Sequence, residues 1–177
     1  MLFFEPHKRD KTLFPWDPFK AMIAPRPVGW ISTRNRAGEV NLAPYSFFNA
    51  FSGAPPIVGF CSEGPKDSQS FAADSGEFVW NMATYDLRDK MNMTSAPLGR
   101  GESEFEHAGL ETAPGVLVGA PRVAASPCAL ECKVTQMVTL LDMHGAATDR
   151  ILVLGQVIGL HVDERYLKDG MIDIVAM

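Results

Sequence analysis

The stretch Pro25-Arg-Pro-Val-Gly-Trp-Ile-Ser-Thr33 opens a segment that extends to Ser68 and decides the fold of the chain. Its apolar and β-branched residues predict a first strand over 28–33, and the Asn and Gly within 34–38 are typical of a tight connection to a second strand over 39–43. A polar and aromatic loop follows, and the two prolines before Ile57 favour an extended entry into a third strand. The segment therefore predicts antiparallel β-structure with small polar groups in its loops.

Pro44 interrupts the second strand, because proline has no amide hydrogen to donate to a ladder. We expect it to end the pairing or to lie at a sheet edge, which leaves backbone groups available to a ligand. After the third strand, Lys66-Asp-Ser68 precedes an apolar run and predicts a short helix with Asp67 or Ser68 as N-cap. The amides of this helix N-terminus, beside Lys66, form a candidate phosphate site. A solvated cap is the commoner use of the same residue types.

The rest of the chain alternates between strand patterns and short helices. The predicted helices cover 86–94, 103–109 and 163–168, and the predicted strands cover 77–82, 115–119, 128–141 and 150–162. Ser103 and Glu106 form a capping-box pattern, and Gly155 and Gly159 predict bends or close backbone approach. This order predicts a mainly β fold, a β-barrel with short helical insertions, with a β-sandwich as the alternative.

Composition is that of one globular domain, with 177 residues, 46% of them hydrophobic and 21% charged. The aromatic-rich residues 1–24 predict an N-terminal arm packed on the body or on a partner, and 25–177 form the domain. A net charge of −5 without a basic run argues against nucleic acid as a partner. No apolar run approaches the roughly 20 residues needed to cross a bilayer, and no secretory signal is present. We therefore expect a cytoplasmic protein without a membrane partner.

The sequence contains few of the residue patterns that are typical of catalytic or metal-binding side chains. The three cysteines, Cys61, Cys128 and Cys132, are expected to be buried small residues, and no histidine pair accompanies them at zinc-ligand spacing. Glu102, Glu104 and Glu106 alternate along a polar stretch, which is typical of a solvated face. Because phosphate-binding glycine motifs and a nucleophile elbow are also lacking, we expect no metal site and no catalytic side chain. A cofactor would have to supply the reactivity.

Seven stretches of this chain resemble the flavin reductase-like, FMN-binding split-barrel proteins, including the flavoredoxin-like branch. They follow in the same order and spacing as in the family, at 25–33, 41–49, 55–60, 66–68, 76–81, 104–110 and 154–161. The resemblance implies an FMN-binding split β-barrel that forms a homodimer, with FMN near the dimer interface and FAD as the alternative cofactor.

The resemblance also implies a set of cofactor-binding residues. The loop that lines the flavin ring in the family, with the strand before it, corresponds here to Trp30, Ser32, Thr33, Asn41, Ala43, Pro44, Tyr45, Ser46 and Phe48. The phosphate end of the family site corresponds to Ser62, Lys66, Asp67 and Ser68. These positions agree with the backbone opening expected at Pro44 and with the helix N-terminus expected at Lys66.

The implied activity is that of a flavin reductase, in which NADH or NADPH is the co-substrate and passes a hydride to the flavin. A monooxygenase component or a redox protein would then receive the electrons. An alternative is an FMN-binding electron carrier without NAD(P)H turnover, which a pocket closed by Trp30 and Tyr45 would favour. A structural domain with an empty site is the third reading.

Overall fold

The computed structural model describes residues 1–99 and 102–177. The strands are β1 Gly29–Arg34, β2 Val40–Tyr45, β3 Phe48–Gly53, β4 Pro56–Glu63, β5 Glu77–Asn81, β6 Thr112–Ala113, β7 Arg122–Val123, β8 Cys128–Leu141, β9 Ala147–Val162, β10 Leu167–Lys168 and β11 Met171–Ile172. The helices are α1 Pro18–Met22, α2 Asp67–Ser75, α3 Arg88–Met93 and α4 Glu104–His107, with 3-10 helices at Pro6–Lys8 and Glu164–Tyr166. Within the described part of the chain, every helix is too short or too polar to cross a membrane.

The main sheet is antiparallel and has the strand order β2-β1-β5-β8-β9-β4-β3. Strands β2 and β3 lie at opposite edges of this sheet, yet only Ser46 and Phe47 separate them in the chain. The sheet must therefore curl until its edges approach each other, which gives a barrel that is not fully hydrogen-bonded. The expectation of a mainly β barrel with short helical insertions is confirmed.

Large apolar side chains from several strands fill the interior of the barrel. Phe60 and Phe78 are fully buried and meet edge to face, with ring centroids 5.4 Å apart. Gly155 on β9 lies against this pair, since a Cβ atom there would come within 2.7 Å of Phe78 Cζ. The close backbone approach expected at Gly155 is therefore present, and it leaves room for the Phe78 ring.

The structure corrects the prediction at Pro44. β2 continues through Pro44 to Tyr45, and Pro44 lies opposite Trp30 in the register with β1. β2 nevertheless forms the edge of the sheet, which was the other position expected for Pro44. Because β2 has no second neighbouring strand in the sheet, the missing amide hydrogen costs no ladder hydrogen bond on that side. The loop expected after this strand contains an additional edge strand, β3.

Several predicted local elements are also wrong. Lys66, and neither Asp67 nor Ser68, is the N-cap of α2. Ser103 is the N-cap residue of α4 but makes no side-chain cap bond among the described residues, so the capping box does not form. Residues 163–168 form a 3-10 helix followed by β10, which pairs with β11.

The predicted strand at 115–119 is instead a bent loop. Two buried carboxylates bind its backbone amides: Glu131 accepts from Val116, Leu117 and Val118, and Glu77 accepts from Gly119 and Ala120. Side chains from two neighbouring strands thus replace the sheet ladder that the apolar residues of this loop suggested.

The N-terminal segment 1–24 is short of buried residues. The aromatic side chains of Phe3, Trp16 and Phe19 are exposed, while Phe4 and Phe14 pack on each other with ring centroids 5.1 Å apart. Arg26 joins the segment to the barrel, since its guanidinium donates to the carbonyl oxygens of Lys20 and Ile23 and to that of Ser46. The segment therefore leaves much apolar surface for another partner.

Candidate functional site

A cavity of about 500 Å³ lies between the edge strand β2, the N-terminus of α2 and the segment that follows α3. Eight of the predicted site residues line it, namely Asn41, Ala43, Pro44, Tyr45, Ser46, Lys66, Asp67 and Ser68. The cavity is wide enough for a small cofactor. Two distant parts of the sequence, 41–46 and 66–68, therefore meet at one concave surface.

Five predicted residues lie outside the lining of this cavity. Trp30, Ser32, Thr33 and Ser62 are fully buried, and Phe48 stacks on Trp80 with ring centroids 6.0 Å apart. The Ser32 and Ser62 hydroxyls donate to backbone carbonyl oxygens. The Thr33 hydroxyl is buried and has no hydrogen-bond partner among the described residues. Contact between these five side chains and a cofactor stays a prediction.

Trp30 acts on the cavity through a second residue. Its indole Nε1 donates to Thr94 Oγ1 at 3.0 Å, and Thr94 in turn donates to the carbonyl oxygen of Met91. Thr94 begins the segment 94–98, which forms the wall of the cavity beyond α3. The buried tryptophan therefore holds this wall in place, and the sequence alone did not identify residues 94–98 as part of the site.

The N-terminus of α2 supplies unsatisfied hydrogen-bond donors at the cavity. Ser70 N donates to the Lys66 carbonyl oxygen in the first bond of the helix, so the amides of Asp67, Ser68 and Gln69 have no partner inside it. Among the described residues, no side chain caps this end. Free amides at a helix N-terminus attract anions, and the ammonium group of Lys66 adds positive charge. Lys20 of α1 also lines the cavity.

Tyr45 brings a second unsatisfied polar group to the same place. Its ring packs on Phe60 at a centroid distance of 4.7 Å, and its hydroxyl is buried without a hydrogen-bond partner among the described residues. Burial raises the pKa of Tyr45, and the nearby hydroxyls of Ser68 and Ser62 oppose this shift. Neither of these hydroxyls forms a hydrogen bond of regular geometry with the Tyr45 hydroxyl. A buried hydroxyl of this kind commonly pairs with a ligand or a water molecule.

Glu104 corrects the prediction of a solvated acidic face. The side chain is buried against β2, where its Oε1 accepts from Asn41 Nδ2 at 2.9 Å and its Oε2 accepts from Leu42 N at 3.2 Å. Burial raises the pKa of Glu104, and the charge of Asp67 acts in the same direction. The apolar Ala108, one helical turn later and buried, is the one sign in the sequence that this face of α4 is internal.

Glu104 also lines a second cavity, of about 540 Å³, next to the first. The two cavities share Asn41, Asp67 and Glu104, and the second is further lined by Glu39 and Glu102. Among residues 1–99 and 102–177, including these cavities, no cluster of three histidine, cysteine or carboxylate side chains is suited to a metal ion. The chemistry available at the site is therefore anion binding by amides and lysine, next to a buried carboxyl group.

Comparison with known proteins gives the family. Residues 22–174 match the flavin reductase-like domain. An uncharacterised protein from Deinococcus radiodurans is 38% identical over 160 residues, which cover 85% of this chain and 67% of that protein. One from Halalkalibacterium halodurans is 34% identical over 160 residues, covering 88% of this chain and 76% of that protein.

Solved structures share the fold. Nitrilotriacetate monooxygenase component B from Bacillus cereus superimposes with a TM-score of 0.87 at 27% identity, covering 99% of this chain and 88% of that one. Flavoredoxin of Desulfovibrio vulgaris gives a TM-score of 0.75 at 22% identity, covering 86% and 79%. The sequence match over nearly the whole barrel and these structural likenesses lead to the same conclusion: the chain belongs to the flavin reductase-like domain family and has its split-barrel fold.

Proposed function

We propose that this protein is an FMN-binding oxidoreductase, a flavin reductase in which NADH or NADPH is the electron donor. The observation that carries the proposal is the meeting of Lys66, the α2 N-terminus and the Tyr45 hydroxyl at one cavity, where the last two have no capping side chain and no hydrogen-bond partner among the described residues. These groups match an anionic ligand with a polar body, and the chain belongs to a family named for flavin reduction. FMN fits this donor set because it ends in a phosphate.

The residues of the chain would act by binding and orientation. Lys66 and the amides of Asp67 and Ser68 would hold the phosphate, and the backbone around Pro44 and Tyr45 would line the ring. The segment 94–98 would close the opposite side and exclude water. When bound, FMN supplies a centre that accepts and donates two electrons, so no side chain is needed as nucleophile or metal ligand.

The proposed electron acceptor is a monooxygenase component or a redox protein. Support comes from the likeness to nitrilotriacetate monooxygenase component B, which is 27% identical and covers nearly the whole chain. The exposed apolar side chains of the 1–24 segment are consistent with a protein partner. We propose that residues 1–24 form such an arm and that residues 25–177 form the domain.

We also propose that the protein is a homodimer. The outer half of the β8–β9 hairpin exposes a series of apolar side chains, namely Met137, Val138, Leu140, Leu141 and Met143. So many exposed apolar side chains at one end of a hairpin favour a protein interface there. A second copy of the chain is the partner that the family resemblance implies.

The test of the phosphate assignment is an FMN titration of the purified protein, followed by the quenching of flavin fluorescence. We expect Lys66→Ala to weaken FMN binding about tenfold, because one charge-assisted contact to the phosphate is lost. The control is Lys168→Ala, which removes the same charge from an exposed position outside the cavity. Equal FMN affinity in the Lys66→Ala and Lys168→Ala proteins would contradict the assignment.

A further inference from the structure

A chain of hydrogen bonds connects Glu104 to the N-terminus of α2. The Ser68 hydroxyl donates to Asn41 Oδ1, and Asn41 Nδ2 donates to Glu104 Oε1. Leu42 N occupies the other oxygen of Glu104. All three side chains are at least nine-tenths buried, so solvent does not replace these bonds. With Glu104 ionised, the Ser68 hydroxyl and one N–H of Asn41 therefore both donate in the direction of the carboxylate.

The direction of this chain determines what Ser68 offers a ligand. A hydroxyl has one proton, and that of Ser68 is committed to Asn41, so its oxygen presents only lone pairs to the cavity. Lone pairs repel a phosphate oxygen. If Glu104 carries a proton, it can donate to Asn41 Oδ1 once the amide turns over. The Asn41 amide group then donates to Ser68 Oγ, and the Ser68 proton becomes available to a ligand.

We propose that Glu104 is a positioning residue that, through Asn41, sets the direction of the Ser68 hydrogen bond and so couples uptake of one proton to binding of the flavin phosphate. The inference rests on the proposed function and adds a regulation of the same site. The proton goes from solvent to Glu104 Oε1, and the Ser68–Asn41 and Asn41–Glu104 hydrogen bonds reverse, while the bond from Leu42 N is kept and no bond between heavy atoms breaks. A proton also offsets the repulsion between the carboxylate and the phosphate.

The electrostatic surroundings favour this role. The other charged side chains that line the two cavities with Glu104 are Lys20, Glu39, Glu63, Lys66, Asp67 and Glu102. Burial raises the pKa of Glu104, and the adjacent Asp67 raises it further. Proton uptake therefore occurs above the ordinary range of a glutamic acid, and FMN affinity falls as the pH rises through this pKa.

The test compares wild type with Glu104→Gln in FMN titrations between about pH 5 and about pH 8. A glutamine amide can donate to Asn41 and still accept from Leu42, so the variant imitates the protonated acid. The phosphate of FMN titrates in the same range but contributes equally to both proteins, so the ratio of their dissociation constants isolates the effect of Glu104.

We expect this ratio, wild type over Glu104→Gln, to be near one at the acid end and to reach about fivefold or more at the alkaline end. Riboflavin lacks the phosphate and should show a ratio near one throughout. Thermal unfolding of both proteins checks that the variant is folded, and Glu104→Ala, which cannot donate to Asn41, should not reproduce the tighter binding.

Three outcomes would overturn the inference. A ratio that does not change with pH would show that Glu104 does not titrate with phosphate binding. An equal pH-dependent ratio for riboflavin and FMN would show that Glu104 acts on the ring or on the fold and not on the phosphate. Wild-type protein that binds neither flavin would contradict the proposed function as well, which separates that failure from the first two.

Discussion

Tyr45 illustrates at the residue scale how a site differs from a core. Its ring is packed like that of any buried aromatic residue, against Phe60, but its hydroxyl lacks a partner among the described residues. An unsatisfied buried hydroxyl costs about 1–3 kcal/mol, so a fold with no use for it would favour phenylalanine. We infer that the hydroxyl serves the ligand.

The variant Tyr45→Phe separates the two roles. We expect it to weaken FMN binding about fivefold, because one hydrogen bond to the ligand is lost. The unfolding midpoint of the flavin-free protein should be unchanged or higher, since the ring contacts remain and no protein hydrogen bond is removed. Fluorescence titration and thermal unfolding measure the two effects. A lower midpoint with unchanged FMN affinity would assign the hydroxyl to the fold.

The residues of the site were predictable where local chemistry determines them. Lys66, Asp67 and Ser68 mark a helix start, and Pro44 marks an edge strand, because both features depend on the backbone of a few neighbouring residues. Glu104 was not predictable in the same way. A carboxylate in a charged stretch has the same sequence pattern whether it faces water or meets Asn41, some 60 residues earlier, and only the fold brings that partner to it.

At the scale of secondary-structure elements, the loop at 115–120 shows where the local sequence pattern is misleading. Its valine and leucine residues between glycines match a strand, yet its amides bind carboxylates instead of another strand. Glu131 accepts three amides and also contacts His161 Nε2. Burial opposes the charge of Glu131, but these donors outweigh it and hold its pKa below the ordinary value. The contacts that define this loop are long-range, so local pattern could not reveal them.

The variant Glu131→Gln tests this arrangement. We expect it to lower the free energy of unfolding at neutral pH by about 2 kcal/mol, because the glutamine amide faces backbone donors. Since the pKa of Glu131 is lowered on folding, its contribution is present above the unfolded-state pKa and is lost as the pH falls through the folded value. The difference between variant and wild type should therefore shrink below about pH 4 in urea unfolding.

Glu106→Gln is the matched control, since Glu106 is exposed and its side chain contacts no backbone amide among the described residues. It should leave the unfolding curve unchanged at every pH. A deficit of Glu131→Gln that stays constant into acid would mean that packing, and not the charge of the carboxylate, holds the loop.

At the scale of the whole molecule, the barrel was predictable because most of its strands have a recognisable apolar sequence pattern. The long hairpin of β8 and β9 follows from two extended apolar segments, and both strands lie close to their predicted bounds. The closure of the sheet was harder to predict from the sequence, because β3 is a short edge strand with little apolar patterning. The surface of the outer hairpin, in contrast, is apolar and exposed, which the folded chain alone does not explain.

The proposed homodimer accounts for that surface. Sedimentation equilibrium should give twice the chain mass of 19.4 kDa. Leu141→Glu, which places a charge on the exposed hairpin, should shift the protein toward the monomer, whereas Leu2→Glu on the N-terminal segment should not. Wild-type protein that sediments as a monomer at tens of micromolar would contradict the dimer.

The most direct test of the central claim is an anaerobic reduction of the FMN-loaded protein, followed by its visible spectrum. The account predicts that NADH or NADPH bleaches the flavin bands rapidly, and the faster donor identifies the co-substrate. If the bands persist with both donors and disappear only with dithionite, the protein binds flavin as an electron carrier and is not a reductase. Protein that cannot be loaded with FMN at all would contradict flavin binding itself.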